Sequence, residues 1–194
     1  MSLRRIPVLP TLLVLAAIGV MIRLGFWQLD RMHQKEELLA RYAAANGMSA
    51  DVPFPQDARA TEMALYRHAT IDCLEATNAT TIAGKSASGE SGVAHMVDCK
   101  LADGGTARVA LGWSRDPKDP VWRGGVVQGI VAPGPRLVAD PPLAGLQANF
   151  RPDPADIPNN HLSYAVQWFL FAATALVIYA IAVRKRLAVT GERR

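Results

Sequence analysis

The chain has 194 residues, half of them hydrophobic, and a formal net charge of +4. Two long apolar stretches use up about a third of that length with their flanks, so what remains, roughly Lys35 to Pro158, is the size of one modest domain. The small basic excess lies largely beside the apolar stretches, where it sets membrane topology and leaves no footprint for nucleic acid.

The first predicted element is the uncharged run Ile6 to Ile22, extended beyond Arg23 by Leu24-Gly25-Phe26-Trp27-Gln28-Leu29. An arginine near a helix end can extend its charge to the headgroups. A cleaved secretory signal would use Arg4 and Arg5 as its basic region, but no small-x-small cleavage site follows. A retained transmembrane helix over 6–29 is therefore expected, preceded by a short cytoplasmic stretch at 1–5. Arg31 to Ala45 keeps helical spacing through Leu38, Leu39, Tyr42 and Ala43, with Glu37 four residues before Arg41. Val52-Pro53-Phe54-Pro55 breaks it.

Short alternating runs follow at Tyr66–Cys73, Ala79–Ala83, Val93–Leu101, Thr106–Trp113 and Gly125–Val131, all patterned as strands. Asp103-Gly104-Gly105 predicts a hairpin turn between two of them. Five strands without intervening helices imply a small antiparallel sheet or barrel-like domain. The proline-rich segment Pro133 to Pro158 reads as an extended return to the membrane. The expected fold is an α+β membrane protein, two transmembrane helices flanking a domain over 30–160. Cys73 and Cys99 fit either a disulfide or two small buried residues. His68 and His95 are lone strand histidines of structural type, and Arg115, Asp116, Lys118 and Asp119 form a turn-rich solvated loop. Neither CxxC, HExxH nor GxSxG occurs, so no motif supplies catalysis.

The last element opens with Pro158-Asn159-Asn160-His161-Leu162-Ser163-Tyr164-Ala165-Val166-Gln167-Trp168-Phe169. From Tyr164 to Val183 no residue is charged, the length a membrane helix needs, so a second span is expected over 161–183. Arg184, Lys185 and Arg186 then begin a basic tail at 184–194. The positive-inside rule puts both termini in the cytoplasm and the domain in the periplasm of a bacterial inner membrane. His161, Tyr164, Ala165, Trp168, Ala172, Ala175 and Tyr179 share one helix face. The alanines form a groove that suits either a second helix or a flat ligand. Tyr164 and Trp168 also suit an interfacial belt, whereas His161 on the same face adds a common haem-iron ligand. On the first helix Trp27 and Arg31 share a face with Arg23, a cluster suited to lipid phosphate or to haem propionates.

Three segments in this order between two spans carry a resemblance: LGFWQLDRMHQK at 24–35, ARVALGWSRDP at 107–117 and PNNHLSYAVQWFLFA at 158–172. Together they resemble the Surfeit locus protein 1 family of cytochrome c oxidase assembly factors. Two positions depart from that pattern. Leu111 stands before Gly112-Trp113 where the family usually has arginine, and Ser114-Arg115 follow where it continues toward Val-Pro. The resemblance implies a non-enzymatic chaperone that binds haem a transiently and helps insert it into subunit I of the oxidase. It places the iron-ligand role on His161, with Trp168 matching the same motif; Trp27 and Arg31 match the first motif, and they and Tyr164 join the candidate cofactor-binding set through their helix faces. Oxidase subunit I, haem a synthase and the lipid bilayer are the implied partners. The alternative is a membrane scaffold that stabilises subunit I without binding haem.

Overall fold

The computed structural model describes residues 7–192, so the expected cytoplasmic stretch 1–5 and the last two residues of the basic tail lie outside it. The chain divides into two units: Leu39–Ile157, built around a sheet, and the residues on either side, whose described part is mostly helical.

In the helical unit, α1 (Val8–Asn46) and α3 (His161–Glu192) are both long and apolar enough to cross a membrane. The apolar run and the predicted continuation are one helix, because Arg31 to Ala45 is mostly strong helix formers and holds neither Gly nor Pro to end it. It stops at Gly47, whose N–H bonds the Ala44 carbonyl at 3.2 Å. Ile18 and Gly25 are buried on α1, Ala165 and Ala172 on α3. Each pair is seven residues apart, about two turns, so each lies on one stripe. A Cβ on residue 25 would come within 2.5 Å of the Phe169 ring, which glycine alone avoids. Phe26 meets the same ring edge-on, centroids 5.4 Å apart. Farther along, the Thr11 and Tyr179 hydroxyls bond to each other. The alanine groove is thus filled by the first helix, through the small-residue contacts that membrane helices use.

The other unit holds six strands: β1 (His68–Cys73), β2 (Glu75–Lys85), β3 (Ser91–Lys100), β4 (Thr106–Ser114), β5 (Gly125–Ala132) and β6 (Arg136–Ala139). Their order is β1-β5-β6-β4-β3-β2, antiparallel except for the parallel pair β4–β6. Each expected strand is present. The predicted hairpin turn joins β3 to β4, with Gly104 at φ 82°, a conformation natural to glycine, and the Asp103 carboxylate accepting the Gly105 N–H at 2.8 Å. β1 and β2 are separated only by Leu74, yet lie at opposite ends of the strand order. The sheet must therefore curl on itself. That brings Cys73 of β1 to Cys99 of β3, Cα atoms 5.1 Å apart, in a disulfide. Both cysteines are also fully buried, so the two readings of them hold together.

Two elements differ from expectation. β6 lies in the segment read as an extended return: Pro133-Gly134-Pro135 merely turns the chain, and Leu137 enters the core between β4 and β5. A short helix, α2 (Ala58–Ala64), occupies the stretch after the proline break, its first turn capped by Asp57 Oδ1 accepting the Ala60 N–H at 2.8 Å. Strand alternation sends Val97, Cys99, Val109, Leu111, Leu137 and Ala139 into the main core, and Met96, Ala110, Ala132 and Val138 to the opposite face. Truncating a fully buried leucine such as Leu111 or Leu137 to alanine costs about 2–5 kcal/mol.

Candidate functional site

The segment before α3 is shaped to start a helix at His161. Asn160 gives its backbone carbonyl to the Tyr164 N–H at 3.3 Å, and Asn159 Nδ2 reaches the Met32 carbonyl on α1 at 3.5 Å. His161 Nδ1 lies 2.7 Å from Gln28 Oε1 of α1. An amide oxygen only accepts, so with this pairing Nδ1 carries the proton and the lone pair sits on Nε2. Nε2 has no hydrogen-bond partner among the described residues. Between membrane helices such a bond contributes about 0.6–2 kcal/mol, and it also fixes the ring's orientation.

The other expected site residues spread around this point. Trp168 is half-buried and meets Phe171 edge-on at 6.1 Å. Tyr164, one turn from His161, is 51% exposed, and Trp27, one residue from Gln28, is 45% exposed. Arg31 is exposed, with Nη1 donating to Gln34 Oε1 at 2.8 Å. The seam itself has His161 on Gln28 and Phe169 on Gly25, with Ala165 and Ala172 buried on the same helix. Gln28, not Trp27, is therefore the residue of α1 that engages His161. A glutamine at the end of an apolar run is its own signal, since a polar side chain there needs a partner.

This donor set fits haem iron. A neutral imidazole held through Nδ1–H presents Nε2 as the ligating atom, the form iron takes from histidine. Tyr164, one turn along α3, and Trp27, the residue before Gln28, are exposed aromatic rings, and Arg31 keeps further donors beyond its bond to Gln34.

The second buried polar centre lies in the other unit. A register shift between His95 and Met96 on β3 leaves both residues buried, His95 at 1% exposure. His95 Nε2 lies 2.8 Å from Ser114 Oγ, while that hydroxyl donates to the Asp116 carbonyl at 2.5 Å. With the serine proton so placed, Nε2 must be the donor. Nδ1 faces Asp119 Oδ1 at 3.7 Å and makes no hydrogen bond. The order Asp-His-Ser looks like a hydrolase triad, but the imidazole does not accept the serine proton. The 115–119 loop is thus tied to a buried histidine and is more than a solvated turn. Among the described residues no group of three or more His, Cys, Asp or Glu is placed to hold a metal.

No curated protein sequence matches the chain. A sequence profile of the SURF1 family matches residues 15–173, a span that takes in Gln28, all six strands, His161 and Trp168. That family is associated with cytochrome c oxidase assembly. Because the match runs from one apolar helix through the sheet into the other, the chain belongs to the SURF1 family.

Proposed function

We propose that this protein, as a membrane assembly factor for a terminal oxidase, binds haem a as cargo at His161 and helps insert it into oxidase subunit I. The main observation in favour is the Gln28–His161 bond, which anchors Nδ1 and leaves Nε2 with its lone pair and no hydrogen-bond partner among the described residues. Tyr164, Trp168, Trp27 and Arg31 are the neighbouring side chains in this reading. One ligand from the protein and an exposed surround suit a carrier, which must release what it binds. The basic cluster Arg184-Lys185-Arg186 supports a bacterial inner-membrane placement with both termini cytoplasmic and the sheet domain periplasmic. Haem a synthase is the natural donor partner in that scheme.

The rival scaffold reading draws on a different observation. Gly25 seated on Phe169 joins the two helices through direct protein contact, as a scaffold needs. Absorbance of the purified protein separates the two. Wild type should show haem a bands, and His161→Ala should lose them, at least tenfold in occupancy, while reaching the membrane at normal level. Unchanged haem content in His161→Ala would remove this ligand and favour the scaffold.

A further inference from the structure

The sheet unit holds a cavity of about 360 Å³ between the outer face of its strands and the segment 149–157. That volume lies in the roughly 300–1,000 Å³ range of small-molecule sites. Its floor is apolar: Met96, Ala110, Ala132 and Val138. Its charged lining has both signs, Lys85 and Arg136 with Asp153 and Asp156. Among the described residues no ion pair joins any of these four. Arg136 Nη1 donates to the Pro133 carbonyl at 2.6 Å, and Asp153 Oδ1 accepts the Ala155 N–H at 2.8 Å.

Tyr66 supplies a second, independent sign. It lines the cavity at 2% exposure, and its hydroxyl makes no hydrogen bond among the described residues. Its backbone sits at φ 63°, held by its N–H on the Val131 carbonyl at 2.8 Å. A bulky residue with positive φ is an outlier, and such outliers gather at ligand clamps. Burial, then Tyr42, Asp156 and Asp153, push the phenol above its ordinary range against the opposing Arg136, so it stays a donor.

We propose that this cavity binds a zwitterionic amphiphile. Its acidic group lies toward Tyr66, Lys85 and Arg136, its ammonium toward Asp153 and Asp156, and its apolar part on the Met96–Val138 floor. A purely anionic ligand would meet the two carboxylates, and a purely cationic one the arginine and lysine. Lys85, Asp153 and Asp156 are exposed and Arg136 half-buried, so a ligand carrying both signs meets an accessible partner of each sign and gives the Tyr66 hydroxyl an acceptor.

Two sources offer this chemistry, an ethanolamine phospholipid and a free apolar amino acid. Titration calorimetry on the full chain in a non-ionic maltoside detergent distinguishes them, using dihexanoyl phosphatidylethanolamine, leucine and, as the anionic control, dihexanoyl phosphatidylglycerol. At least one zwitterion should saturate a single site, about tenfold tighter than the anionic lipid. Whichever binds names the source. Asp156→Asn should abolish the preference, and Tyr66→Phe should weaken binding several-fold without lowering the unfolding temperature. Absence of saturable binding by both zwitterions, equal affinity for phosphatidylglycerol, or indifference to Asp156→Asn would each overturn the proposal. Haem content plays no part in the readout, so this test stands or falls apart from His161.

Discussion

His161 and His95 offer a controlled comparison between the two units. Each imidazole is held by one nitrogen, His161 through Nδ1 to Gln28 and His95 through Nε2 to Ser114. The difference is what surrounds the other nitrogen. At His95 it is sealed in the sheet unit at 1% exposure, facing the Asp119 carboxylate. At His161 it lies at a partly exposed helix start with no hydrogen-bond partner among the described residues. A histidine of the first kind ties a loop to a strand; one of the second kind has bonding capacity to spare for a ligand. Position in the fold, rather than residue type, assigns the roles.

The comparison can be broken most forcefully through the sheet unit. Replacing Cys73 and Cys99 together by serine removes a crosslink across 26 residues of sequence. Chain-entropy reasoning puts the cost at about 3.5 kcal/mol, read by denaturant unfolding. The folded fraction should keep its haem a content. A loss of haem in well-folded protein would mean that the two units do not have separate duties.

Gln28→Leu sharpens the helical side. It leaves His161 in place but frees Nδ1, so haem a affinity should fall about 10- to 100-fold, measured by titration in detergent. An unchanged affinity would show that the Gln28 bond is packing alone. The smallest effect is expected at the other histidine. His95→Gln keeps a donor for Ser114, so stability of the sheet unit should drop by about 1 kcal/mol with haem a binding unaltered. Any haem defect there would place His95, against this reading, in the carrier function.

Much of this architecture is legible in the chain itself, for identifiable reasons. Uncharged runs of membrane length announce both helices, alternation announces five strands, and Asp103-Gly104-Gly105 announces its hairpin. β6 is hidden because four residues behind Pro133-Gly134-Pro135 carry too little pattern; only the gap between β4 and β5 makes them a strand. The disulfide depends on the bend at Leu74, a property of the curled sheet that cysteine spacing cannot express. At the candidate site the motif points to His161, yet its partner hangs on a rotation of α1 by one residue. Gly25 seated on Phe169 fixes that rotation and selects Gln28 over Trp27.

The same bond has a temporal meaning. Gln28 and His161 are separated by 133 residues, with the entire sheet unit between them. Ribosomes deliver the chain from its N-terminus, so the sheet unit is translated before α3 exists and can fold as its own unit. The polar clasp between the two helices forms last. A chain arrested anywhere in the sheet unit carries Gln28 without its histidine, and the His161 site comes into being only in a protein translated into its final helix.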